Sequence, residues 1–159
     1  MTATAHALVS AAIAASVPNP ALSLPLAFAS HFVMDVIPHW DFGTNWRSRS
    51  KAATGAIAIF DTIIGFTLAY FLFAGKVSTP ILFLAMSLGN LPDWLEAPYY
   101  IFFASQKKDY QKNAASILET LTYRIYRIEN LFHTKATFPF GLITQIFTVG
   151  FFLLLLRIR

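Results

Sequence analysis

The sequence predicts an all-α fold: one polytopic integral membrane domain over residues 1–159, with about five apolar helical segments and a cytoplasmic interfacial amphipathic helix. Three observations predict it. Of the 159 residues, 56% are hydrophobic and only 13% charged, where an ordinary soluble domain carries about 25% charged residues. Mean hydropathy is +0.55. The apolar residues also fall into long runs separated by brief polar stretches, as bilayer-crossing helices require. The absence of cysteine excludes a disulfide framework, a thiolate metal site and a cysteine nucleophile.

Residues 3–17 form the first apolar run. No Lys or Arg precedes it and His6 lies inside it, so it does not read as a cleaved secretory leader and is expected to be retained. Residues 22–37 form the second. A span needs roughly 20 residues, so these two short runs suggest a tilted hairpin or a re-entrant pair, joined at Pro18-Asn19-Pro20, a strong turn signal. Residues 52–74, 79–104 and 138–158 are each long enough to span. The fourth run carries Gly89-Asn90-Leu91-Pro92-Asp93, where proline removes a backbone donor and predicts a broken helix lining a cavity.

Residues 105–135 are the one sizeable polar stretch. Within it Ala114, Ile117, Leu118, Leu121, Ile125, Ile128 and Phe132 recur at helical spacing, while Lys112, Glu119, Arg124 and Arg127 fall largely on the other side. Packing on the rest of the protein and contact with lipid headgroups are both open to such a helix. With each run crossing once and the first two as a hairpin, Arg47, Arg49, Lys51, Lys107, Lys108, Lys112, Arg124, Arg127 and Lys135 share the N-terminal side. Only Lys76, Arg157 and Arg159 lie opposite. Basic residues concentrate in cytoplasmic loops, so the N-terminus and long loops are expected there. The net charge of +4 is then topological, with no nucleic-acid partner implied. Trp40 and Trp46 suit interfacial anchors.

Ionisable side chains inside apolar runs are expensive and mark function by default. His6, His31, Asp35, Asp61 and Asp93 are such residues, with His39, Asp41 and His133 close to run ends. At 1.5 Å per residue, His6 and Asp35 lie about 5 Å from the cytoplasmic ends, and His31, Asp61 and Asp93 about 10 to 16 Å. Convergence on one layer suggests one site. In Ser30-His31-Phe32-Val33-Met34-Asp35-Val36-Ile37-Pro38-His39, His31 and Asp35 are four apart and share a helix face. Imidazoles and carboxylates without thiolate suit a divalent transition metal: Zn, Mn, Fe or Ni. The residues assigned as metal ligands are His6, His31, Asp35, Asp93 and His133. Asp61 is assigned as general base, further ligand or structural acid, and His39 as completing the catalytic set.

No G-x-S-x-G elbow, P-loop, dinucleotide fingerprint or H-E-x-x-H is present. His6, Ser30-His31 through Asp35, and Leu91-Pro92-Asp93 resemble the motifs of the prokaryotic membrane-bound metal-dependent hydrolase family. That family's Pro-Asp element commonly continues into a second Asp and a His, where this chain has Trp94-Leu95. Its His-Arg-Gly-x-Thr-His-Ser stretch has only Phe132-His133-Thr134 as a remote counterpart.

The resemblance implies a small multi-helix hydrolase. The depth of the polar layer adds a substrate at the cytoplasmic leaflet, such as a lipid-like ester or phosphoester, with Arg47, Arg49, Arg124 or Arg127 available to a phosphate. A proton or divalent-cation transporter is the alternative use of the same residues, and a scaffold with a buried polar layer is a third.

Overall fold

The computed structural model describes residues 1–42, 48–104 and 116–156. Among them the chain is all-helical, with no strand: α1 Ala3–Ser16, α2 Pro20–Asp35, α3 Lys51–Phe73, α4 Thr79–Pro98, α5 Ile117–Phe132 and α6 Phe140–Leu155. A π-helical turn, Tyr99–Phe103, extends α4. Trp46, Arg47, Lys107, Lys108, Lys112, Ala114, Arg157 and Arg159 lie outside the described residues.

Local sequence explains the helix starts. Thr2, Asn19, Ser50 and Ser116 each accept a backbone N–H of the first turn, from Ala5, Ala21, Ala53 and Glu119 respectively, satisfying donors that the helix leaves unpaired. Pro20, at the first position of α2, loses no hydrogen bond there. The Pro18-Asn19-Pro20 turn folds α2 back against α1.

The centre of the bundle is α1, which touches α2, α3, α4 and α6. Its run of Ala and Ser is buried almost throughout, and small residues let backbones approach closely. Two glycines on the neighbours complete the fit. A Cβ on Gly65 of α3 would stand 2.6 Å from Thr4 Cα, and one on Gly89 of α4 would stand 1.9 Å from Ser10 Oγ. Larger side chains on α3 and α4 would hold them away from α1.

The fourth segment corrects an expectation. The helix is not broken at Leu91-Pro92-Asp93: α4 runs unbroken through Pro92. Proline removes only the N–H that would reach the Leu88 carbonyl, and nearby carbonyls find side-chain donors. His31 Nδ1 meets Gly89 O at 2.9 Å, and Asn90 Nδ2 meets Met86 O at 2.9 Å. Neighbours that re-satisfy the backbone let a proline sit inside an apolar helix.

Of the three segments expected to span, α3 has both the length and the apolarity to cross a membrane: 23 residues containing an 18-residue stretch of mean hydropathy 2.0, or about 35 Å at 1.5 Å per residue. The other two fall short in different ways. α6 is 16 residues long and α4, though 20 residues, is less apolar because it carries Asn90, Asp93 and Glu96. The bundle nevertheless presents apolar residues outward on several helices, among them Phe60 and Phe71 on α3 and Phe147 and Leu154 on α6.

α5 is helical, and its orientation inverts that of a helix on a soluble protein. Glu119, Thr122 and Glu129 are its buried residues, while Ile117, Leu121, Ile128 and Leu131 are exposed. Tyr126 stacks on Tyr99 of the π turn, ring centroids 4.6 Å apart, and Phe132 meets Phe32 of α2 edge-on. The polar face thus looks into the bundle.

Candidate metal centre

The start of α1, the end of α2 and the later turns of α4 meet at one end of the bundle, bringing His6, His31, Asp35 and Asp93 together. The loop beyond α2 is tied to the chain beyond α5 by backbone hydrogen bonds: Thr134 N to Asp35 O (2.9 Å), His39 N to Thr134 O (3.0 Å) and Ala136 N to His39 O (2.7 Å). This short ladder sets His39 beside His133, Nε2 to Nε2 at 2.9 Å. His39 and Asp41, close to the end of the second apolar run, are both buried.

Two groups result. His6, His31 and Asp93 form one, and Asp35, His39 and His133 the other; within each, the ligand atoms lie within 4.8 Å of one another. Asp35 stands between them. Its Oδ1 is 3.3 Å from His6 Nε2 and 3.8 Å from His39 Nε2; its Oδ2 is 3.5 Å from His31 Nε2 and 3.6 Å from His133 Nδ1. Oδ1 also pairs with the amine nitrogen of Met1. His31 Nε2 is 3.9 Å from Asp93 Oδ1.

Hydrogen bonds on the far side of the His31, His39 and His133 rings fix what faces the cluster. A carbonyl can only accept, so His31 Nδ1 donates to Gly89 O, and His39 Nδ1 donates to Ile37 O at 2.8 Å. In the neutral rings Nε2 is then a lone pair turned toward the carboxylates. His133 is held the other way round: Nε2 donates to Asp41 Oδ2 at 2.6 Å, leaving Nδ1 toward Asp35. Burial opposes the charge on Asp41, but the hydrogen bond from His133 and the charge of Lys135 outweigh it and hold its carboxyl well below the usual carboxylate range. The Asp41–His133 pair is the arrangement that orients a metal-ligating imidazole.

The donor set fits a cation. His6 Nε2, His31 Nε2 and Asp35 Oδ2 are buried and make no hydrogen bond, although acceptors buried without a donor are costly. Zinc bonds of about 2.0–2.2 Å in a tetrahedral set place neighbouring ligand atoms about 3.4 Å apart. The separations around Asp35 are 3.3 to 3.8 Å.

Asp61 has a different position. Its carboxylate accepts from Ala3 N at 2.6 Å, Thr4 N at 3.3 Å and Thr4 Oγ1 at 2.7 Å. It is the anionic cap of α1 and belongs to neither ligand group. It does border a cavity of about 180 Å³ that is also lined by Asp41, Asp93, His133, Trp94 and Lys135. Both groups therefore reach one space.

Of the arginines expected at a phosphate, Arg124 and Arg127 are exposed on α5 and absent from that lining, and Arg49 donates to the Phe42 carbonyl. Lys135 is the basic side chain on the cavity. Sequence reasoning also missed Glu129, whose Oε2 is 3.4 Å from His31 Nε2; its signal was a carboxylate on the same face of α5 as Glu119, Thr122 and Tyr126. Among known proteins, no family model, no curated protein and no solved structure matches the chain.

Proposed function

We propose that this chain is a membrane-embedded, metal-dependent hydrolase whose site opens to the cytoplasmic leaflet and acts on a lipid-like ester or phosphoester. One observation carries the reading: His6 Nε2, His31 Nε2 and Asp35 Oδ2 are buried without a hydrogen-bond partner, and the two imidazole nitrogens lie 3.3 and 3.5 Å from the Asp35 carboxylate, beside a second imidazole pair. His6, His31 and Asp93 would hold one divalent cation, and Asp35, His39 and His133 a second, with Zn the first choice and Mn or Fe compatible with the same donors. Such a cation supplies Lewis-acid polarisation of a carbonyl or phosphoryl oxygen and lowers the pKa of water toward neutrality.

The chain's own groups have distinct tasks. Asp35 holds the two groups together, Asp41 fixes the His133 tautomer, and Gly89 O fixes that of His31. Asp93 and His133 reach the cavity where a substrate would lie, and Lys135 offers it a positive charge for a phosphate or carboxylate. Outward apolar faces, on α3 and α5 above all, support placement in a bilayer, and the excess of basic residues at the cluster end supports a cytoplasmic site. The likeness of the His6, His31–Asp35 and Pro92-Asp93 motifs to the membrane-bound metal-dependent hydrolase family points the same way.

Elemental analysis of detergent-purified protein without a His tag tests this. One or two transition metals per chain are expected in wild type and loss in Asp35→Ala. Metal-free wild type after equilibration with Zn or Mn would overturn the reading.

A further inference from the structure

The first ligand group, as formed by His6, His31 and Asp93, has three protein ligands from α1, α2 and α4. We infer that Glu129 of α5 is its fourth ligand, so that the same cation clamps α5 onto the bundle. The inference rests on the metal-centre reading above.

Three carboxylate oxygens converge on one imidazole nitrogen. Around His31 Nε2 lie Glu129 Oε2 at 3.4 Å, Asp35 Oδ2 at 3.5 Å and Asp93 Oδ1 at 3.9 Å. They come from α5, α2 and α4. His31 Nδ1 already donates to Gly89 O, so a neutral ring offers those oxygens a lone pair and no proton. Carboxylates gathered around a lone pair in a buried place repel one another. A cation held by Glu129 and Asp93 would turn their repulsion into attraction, and 3.4 Å is about the spacing of two ligands on one tetrahedral zinc. Glu129 is 5% exposed, and water therefore does little to stabilise its charge.

The placement of α5 follows from this. Its inward face carries Glu119, Thr122 and Glu129, while Ile117, Leu121, Ile128 and Leu131 are exposed, so hydrophobic burial does not seat it against the bundle as it would an ordinary amphipathic helix. Ring contacts from Tyr126 and Phe132 attach it at either side of Glu129. The carboxylate between them faces His31 Nε2 at 3.4 Å. Binding of the cation and docking of α5 are thus linked, each favouring the other.

The experiment uses the full-length chain in detergent micelles, stripped with chelator and titrated with Zn²⁺ alone. Metal stoichiometry and affinity are read directly, and tryptic cleavage at Arg124 and Arg127 reports whether α5 is docked. Wild type is expected to take up two Zn²⁺ and to become slower to cleave as it does. Glu129→Gln is expected to lose one Zn²⁺, or to bind it at least about ten-fold more weakly, and to stay cleavable. Glu129→His, which keeps a ligand atom there, restores both. Glu119→Gln removes a buried carboxylate from the same helix face that is a member of neither group and is expected to behave as wild type.

Unchanged stoichiometry and affinity in Glu129→Gln, with wild type binding two Zn²⁺, overturns the assignment of Glu129 and leaves the metal centre standing. Equal loss in Glu119→Gln also overturns it, by showing that any disturbance of α5 suffices. Wild type that binds no Zn²⁺ removes the metal centre itself.

Discussion

Asp41 and Asp61 are acids of the same charge with different work, and each makes its own prediction. Asp41 holds His133 Nε2 at 2.6 Å, so Asp41→Asn turns the ionic partner into an amide and frees the imidazole to take either tautomer. Loss of such an orienting carboxylate typically costs about 10- to 100-fold in metal affinity. A Zn²⁺ titration of Asp41→Asn should therefore show one site weakened by that factor and the other unchanged. Equal weakening of both sites, or of neither, would contradict the division into two groups. Asp61 accepts three hydrogen bonds at the start of α1. Asp61→Ala should lower stability by about 1–2 kcal/mol, the usual value of an N-terminal cap, without changing metal stoichiometry. Thermal unfolding in detergent and elemental analysis of the same sample check both halves. Metal loss at unchanged stability would instead make Asp61 a ligand. At this scale sequence is most informative where spacing is local. The four-residue step from His31 to Asp35 places both on one helix face, and the structure sets them 3.5 Å apart. The His39–His133 contact spans 94 residues and depends on the backbone ladder between 35–39 and 134–136, for which neither stretch carries a local signature.

Among the elements, α5 shows what hydrophobic periodicity contains and what it omits. The spacing of Ile117, Leu121, Ile125, Ile128 and Phe132 specifies a helix with two faces. It does not say which face turns inward, because that depends on whether the surroundings are water or lipid. In the structure Ile117, Leu121 and Ile128 are exposed, together with Arg124 and Arg127, and that choice brings Glu129 to His31. The chain has no cysteine, so a single introduced thiol can be spin-labelled without background. A label at Leu121→Cys in liposomes is expected to be more accessible to oxygen, which concentrates in lipid, than to a charged nickel relaxer. The reverse order would place this face in water and remove the strongest support from α5 for a bilayer setting. α4 gives a different lesson. Pro92 predicts a break when it is considered alone, but its helix continues; Asn90 supplies a donor to Met86 O from within α4 and His31 one to Gly89 O from α2, and the second is visible only once α2 is packed against α4.

For the whole molecule, the antiparallel course of α1 to α4 explains why the polar residues gather at one end. His6 is near the start of α1, Asp35 closes α2, and Asp93 lies in the last third of α4, so each reversal of the chain returns an acid or imidazole to the same layer. Composition made the apolar bundle legible, and the depth of each polar residue made the layer legible. The division into two groups sharing Asp35 was not, since it depends on ring orientations fixed by groups distant in sequence, Gly89 O for His31 and the Asp41 carboxylate for His133. A one-sided cluster with an adjoining cavity favours chemistry at one leaflet over passage across the membrane, and sidedness is directly measurable. Lys76 follows α3, at the end opposite the cluster, whereas Arg124 lies on α5 with the cluster and is exposed. A membrane-impermeant maleimide applied to intact cells should label Lys76→Cys and spare Arg124→Cys, and inverted vesicles should show the opposite. Labelling of Arg124→Cys from outside would turn the site to the outer leaflet and redirect the search for its substrate. Substantial Zn²⁺ flux into proteoliposomes, abolished by Asp35→Ala, would replace hydrolysis with transport, because a through-path rather than a closed pocket would then connect the two ends.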